Sequence, residues 1–178
     1  MKKVFQLKAI AVFAVALLIS TVACAQMNGK TIASPRDSVS GKVHGATISI
    51  NYGAPSVRGR KIFGGLLPFG KTWRAGANEA TTFTTNKDVK IGGKTLPAGK
   101  YSLFATPGEK EWKIIFNSQL GEWGIKRNGE ANDDPAKDVV VVTVTPKMVP
   151  MTERLKYVIT AKGFDLVWET TSVSVEVK

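Results

Sequence analysis

Cysteine is almost missing from this chain. Cys24 is the only one in 178 residues, so no disulfide can form within the chain and stability must come from packing. Histidine is equally scarce. His44 stands alone, and one imidazole without further nitrogen or sulfur ligands builds no zinc site. There is no cysteine nucleophile, no G-x-S-x-G elbow, and no serine in a recognisable catalytic context. No residue is therefore assigned as catalytic or metal-ligating, and no cofactor is called for. Acidic residues are in deficit, 14 against 25 Lys and Arg, but the basic residues are mostly Lys and spread along the chain. Without a basic run, nucleic acid is a poor partner. Beyond the first 25 residues there is no amphipathic helical pattern, no fixed-period repeat and no low-complexity tract.

The N-terminus reads as a targeting segment. Lys2, Lys3 and Lys8 give it a positive end, residues 9–19 are uninterrupted apolar, and Ala23-Cys24-Ala25 supplies small residues before Gln26. This is the layout of a secretory signal, and the run is too short to be a membrane-spanning helix. Cleavage after Ala25 is expected, giving a periplasmic or extracellular protein. The alternatives are a permanent anchor or lipidation at Cys24, and Thr21 stands where a lipoprotein signal usually has Leu. Residues 26–36 read as a flexible lead-in and 37–178 as one domain. Loss of a leader with three Lys and no acid lowers the formal charge from +11 to +8. A basic exported protein meets lipid headgroups and acidic glycans, though simple solubility explains the charge as well.

What the chain does hold is alternation. Ala46, Ile48, Ile50 and Tyr52 point one way and Thr47, Ser49 and Asn51 the other, which is a half-buried strand. The same period recurs at Tyr101, Leu103 and Ala105; at Trp112, Ile114 and Phe116; at Leu155, Tyr157 and Ile159; at Phe164, Leu166 and Trp168; and at Val173, Val175 and Val177. Residues 139–144 are almost continuously apolar, as in a strand covered on both faces. Gly45, Gly92-Gly93, Pro97-Ala98-Gly99 and Pro107-Gly108 mark turns. About nine strands at this spacing predict an all-β fold, an antiparallel, jelly-roll-like sandwich.

Two long connections interrupt the pattern, residues 118–137 and residues 58–82, the latter reading RGRKIFGGLLPFGKTWRAGANEATT. The second is too rich in Gly for a helix, a short turn near residues 60–64 aside, and too apolar for a linker. Its residues 65–72 fit the pattern of a phosphate-cradling loop. The cradle needs a strand before it and a helix after it, and Pro68 lacks one of the needed N–H groups, so no nucleotide is expected. More informative are Arg58, Arg60, Arg74, Asn78 and Glu79, with Trp73 and Tyr52 close in sequence; three of the six arginines fall here. Guanidinium forks grip carboxylate or phosphate, and an aromatic face can stack on a sugar. These seven residues form the candidate ligand site. The competing reading is structural, with Arg and Asn satisfying the loop's own carbonyls and Glu79 pairing one Arg. Trp123, beside Gly124, is a further platform candidate. Asn128, Glu130, Asn132 and Asp134 faintly suggest calcium ligation but lack its full spacing.

The segments SPRDSV, RGRKIFGGLLPFGKTWRAGANEATT and LPAGKYSLFATPGEKEWKIIFN resemble the bacterial family known as domain of unknown function 2911. The resemblance runs from Ser34 to about the C-terminus. It implies an exported single-domain protein in which residues 58–82 are a hallmark, and it implies no reaction. Three functions stay open: a non-catalytic binding module of the cell envelope for an acidic glycan, lipid headgroup or small anionic ligand; a hydrolase using Glu79 with His44 or a second carboxylate from residues 118–137; and a structural envelope protein with no ligand.

Overall fold

The computed structural model describes residues 33–178, so the leader and most of the lead-in lie outside it. Ten strands follow in chain order: β1 (Arg36–Val43), β2 (Ala46–Gly53), β3 (Thr81–Thr85), β4 (Val89–Ile91), β5 (Lys94–Leu96), β6 (Gly99–Thr106), β7 (Trp112–Asn117), β8 (Asp138–Val144), β9 (Lys147–Thr160) and β10 (Gly163–Glu176). The one helical piece among the described residues is a 3-10 turn, Pro135–Lys137. The fold is all-β and antiparallel, as the alternation predicts. Among the described residues, no helix is long and apolar enough to cross a membrane.

A six-stranded sheet runs in the order β1-β2-β3-β6-β7-β8. The hairpins β9–β10 and β4–β5 form its opposing layer. Between the layers lies one core, built from the inward positions that the sequence alternation selects: Ile48, Ile50, Phe83, Leu103, Phe116, Leu155, Tyr157, Phe164 and Trp168 among others. Ring contacts knit it together, with Phe83 5.1 Å from Phe116 and 5.7 Å from Phe164. Buried aromatics supply most of such a core's apolar area.

A second apolar cluster lies on the sheet's outer face. Ala80, Phe104 and Ile115 are packed there with Ala131 and Val141. Residues 118–137 cover this half of the outer face, which is why β8 is apolar on both faces although it is an edge strand. The other half carries short polar side chains in register, such as Ser40 opposite Ser49 opposite Thr84, with Lys100 next in the row.

Two local expectations are corrected. Residues 164–168 and 173–176 are not separate strands; they are parts of the fourteen-residue β10, which shifts register around Glu169 and Thr171, and Val177 beyond it bridges to Ile91. Glu169 sits at φ 54°, and its carboxylate accepts the Ile62 N–H at 3.2 Å. A period-two reading takes the shift for a break between strands, because the buried positions change from 164, 166 and 168 to 173 and 175 and the alternation resumes out of phase. Residues 60–64 form no helical turn. Leu66 and Leu67 reach back five residues to the carbonyls of Lys61 and Ile62, at 3.0 and 2.8 Å.

The long connection is ordered by burial at intervals. Val57, Ile62, Phe63, Trp73 and Ala75 all enter the core. Trp73 stacks on Trp168 with centroids 5.8 Å apart, and its indole N–H donates to the Gly76 carbonyl at 2.8 Å. Gly53 admits the returning chain. The Ala77 N–H donates to its carbonyl at 3.1 Å, and a Cβ at Gly53 would stand 2.0 Å from the Ala77 oxygen.

Candidate functional site

The seven residues singled out in the sequence do not meet in one pocket. Arg58 and Arg60 lie at the start of the connection and serve the backbone. The Arg58 guanidinium donates to the Ala33 carbonyl at 3.2 Å. Arg60 donates to the carbonyls of Val57 and Ser56, at 2.9 and 2.7 Å. Asn78, at φ 65°, donates from its amide to the Ser34 carbonyl at 2.9 Å. Together with the Ala54 N–H donating to Pro35, these bonds fasten the chain just before β1. Otherwise unpaired loop carbonyls find partners in this way.

Tyr52 and Trp73 are core residues. The Tyr52 hydroxyl donates to Asp37 at 3.1 Å and accepts the Tyr157 N–H at 3.3 Å. Burial, with Asp37 adding to it, pushes its pKa up to about 12, against the Tyr157 N–H acting downwards. The Tyr157 hydroxyl donates to the Ala75 carbonyl at 2.7 Å, and that carbonyl also accepts from Thr81 at 3.0 Å. Ala75 itself sits at φ 50°. A left-handed alanine is strained and persists where its surroundings over-determine it; here two buried hydroxyls hold its carbonyl. Its neighbour Arg74 is thereby turned to the outer face.

Arg74 and Glu79 make no ion pair with each other, but each has a partner outside those seven residues, Trp123 for Arg74 and Arg36 for Glu79. The Arg74 guanidinium lies over the Trp123 ring, 5.6 Å from its centroid, and donates to the Trp123 carbonyl at 3.0 Å. Burial lowers the pKa of Arg74, and the Glu79 carboxylate opposes that shift. Glu79 in turn pairs with Arg36 at 3.2 Å, and Arg36 also donates to Asn51. The result is a row of alternating charge, Arg36, Glu79 and Arg74, ending on an aromatic face. Trp123 is 52% exposed, so a stacking surface remains. Gly124 allows this arrangement. It sits at φ 85°, and a Cβ there would meet the Arg74 Cβ at 2.6 Å.

Arg36 was hidden in the sequence because it reads as lead-in. The β1–β2 register places it opposite Gly53, at the strand end where the long connection departs and later returns. Trp123 was legible as a tryptophan beside a loop glycine, but its pairing with Arg74 across 49 residues was not.

Under residues 118–137 several polar atoms are buried without a partner among the described residues: Arg74 Nε, both carboxylate oxygens of Glu122, and Asn132 Oδ1. Burial also raises the Asp133 pKa. Among the described residues, no group of three or more His, Cys, Asp or Glu is placed to hold a metal ion. His44 occupies the β1–β2 turn at φ 46°, whereas Glu79 pairs with the residue that begins β1. About 23 Å of strand separates them, so of the two pairings considered for a hydrolase the structure removes Glu79 with His44; residues 118–137 do pass close to Glu79, the Ala80 N–H donating to the Glu122 carbonyl at 3.2 Å. Residues 65–72 form turns whose Gly70 and Lys71 N–H groups donate to Pro107 and Pro68, at 2.8 and 3.4 Å. Neither a preceding strand nor a following helix frames them as a phosphate cradle.

Comparison with curated proteins found no match, and comparison with solved structures found none. Residues 34–177 match the family described as a protein of unknown function, DUF2911, and the chain belongs to that family.

Proposed function

We propose that the protein is a non-catalytic binding module for an acidic glycan, and that the platform of Arg74, Trp123, Glu79 and Arg36 is its ligand site. One observation carries the reading: the Arg74 guanidinium is held against a half-exposed tryptophan. An indole face stacks on the apolar face of a sugar ring, and a guanidinium fork takes its carboxylate. Glu79 offsets one of the two guanidinium charges in the free protein and leaves one net positive charge on the row. A bound carboxylate would replace Glu79 at Arg36. Arg58 and Arg60, occupied by carbonyls, are outside the platform. The half of the outer face carrying Ser40, Ser49 and Thr84 adjoins it and offers hydroxyls to a bound chain.

Titration calorimetry tests this with a uronic-acid tetrasaccharide and its counterpart whose carboxyls are reduced to alcohols. The acidic form is expected to bind and the reduced form to bind at least about tenfold more weakly, as for the loss of one charge-assisted hydrogen bond. Trp123→Ala should weaken binding by a similar factor with little change in the melting temperature, because the ring is half exposed and outside the core. Equal affinity for both sugars, or an unchanged Trp123→Ala, overturns the reading.

A further inference from the structure

A different surface carries an independent inference. At the tip of the turn in residues 61–71 the side chains of Leu66 and Phe69 are 49% and 39% exposed, and Pro68 between them is exposed too. The tip is held from behind. Leu67 packs against the core, Phe63 lies 4.6 Å from Trp112, and the Gly70 N–H donates to Pro107 at 2.8 Å. Three partly exposed apolar side chains thus share one short turn on an anchored base, with the Phe69 ring lying over Gly64.

Charge surrounds the tip asymmetrically. Residues 58–71 contain Arg58, Arg60, Lys61 and Lys71 and no acidic residue, and all four cations are exposed. The two glutamates that face this segment from β9 and β10 are engaged by its backbone: Glu153 accepts the Arg58 N–H at 2.9 Å and Glu169 the Ile62 N–H at 3.2 Å. The adjoining β6–β7 turn brings Glu109 and Glu111 with Lys110, which leaves the cations in excess.

We infer that this tip docks on an anionic lipid surface, with Leu66, Pro68 and Phe69 entering the headgroup boundary and Lys61 and Lys71 meeting the phosphates. Apolar side chains framed by cations are the composition that interfacial binding favours, with area burial and headgroup attraction acting together. Lys and Arg also lay their methylene stems along such a boundary while keeping the charge in water. A bare protein partner would account for the apolar tip but not for the excess of exposed cations in the same segment.

The test is vesicle co-sedimentation of the protein purified in the form the cell accumulates, with the same N-terminus confirmed by mass in every variant. Vesicles of phosphatidylcholine alone are compared with vesicles also containing phosphatidylglycerol. The protein is expected to bind the anionic vesicles and to be released by salt. Lys61→Gln with Lys71→Gln should lower the partition coefficient by about fivefold per cation. Leu66→Ser with Phe69→Ser should abolish binding with the melting temperature unchanged, and Trp123→Ala should bind as before. Binding to neither vesicle, equal binding to both, or full binding by the serine pair overturns the inference. A serine pair that changes the oligomeric state while no vesicle binds would assign the tip to a protein contact and overturn it too.

Discussion

Trp168→Ala is expected to remove about 3–5 kcal/mol of folding free energy, a large share of the ~5–15 kcal/mol that single domains hold. Trp168 is 1% exposed and lies where three parts of the fold meet. It belongs to β10, stacks on Trp73 of the long connection, and meets Phe63 edge-on at 6.1 Å. Its removal leaves a cavity that two rings from a glycine-rich segment cannot collapse to fill without giving up their own contacts. Phenylalanine replacements separate packing from hydrogen bonding. The Trp168 indole N–H is buried without a partner among the described residues, so Trp168→Phe loses volume but also removes an uncompensated polar group. Trp73→Phe loses the donor to Gly76 and strands a buried carbonyl, adding about 1–3 kcal/mol. Urea denaturation should therefore rank Trp168→Ala as most damaging and Trp73→Phe as worse than Trp168→Phe. The reverse order of the two phenylalanine variants would show that the Gly76 bond contributes little and that ring volume alone decides.

The same three rings show how far a sequence can be read. Period-two alternation identifies Trp112 and Trp168 as core, because facing of side chains is a local property of the strand, and the Gly92-Gly93 pair places a hairpin because turn chemistry is local too. The sheet order is not local. Nothing near Ala80 announces that residues 118–137 return across Phe104 and Ile115, and so the aromatic partner of Arg74 could be suspected but not assigned. Arginines posed a related difficulty. Arg58, Arg60 and Arg74 look alike in sequence, yet Arg58 answers the Ala33 carbonyl just before β1, Arg60 answers those of Ser56 and Val57 in its own loop, and only Arg74 reaches a ring. What separates them is the backbone. Ala75 at φ 50° and Gly124 at φ 85° turn Arg74 outwards and let the covering segment approach it. Left-handed alanine has no sequence signature, since most alanines avoid that region.

Alkaline pH should destabilise the fold through the buried tyrosines, beginning near pH 10. Tyr52 holds its proton up to about 12 in the folded state, chiefly because burial disfavours the phenolate, with Asp37 adding to the effect. Tyr157 is buried with it, its ring 4.8 Å from that of Tyr52, and its pKa also lies well above the ordinary tyrosine value of 10.0. In the unfolded chain both phenols titrate near 10. Their contribution is therefore complete below pH 10, where both states keep the proton. It falls as pH rises from about 10 towards about 12, because only the unfolded chain gains by releasing protons. For Tyr52 alone a shift of this size corresponds to about 2–3 kcal/mol. Tyr52→Phe isolates the effect. At neutral pH it should cost about 1–3 kcal/mol, since the Tyr157 N–H loses its acceptor. Above about pH 10 its stability should decline less steeply than that of the wild type, because one of the two titrating phenols is gone. Urea midpoints followed across this range would reveal the difference. Parallel decline of the two proteins would mean that Tyr52 releases its proton without unfolding, through opening of the β1–β2 edge at Asp37, and that the bond joining this edge to β9 is not part of the cooperative core.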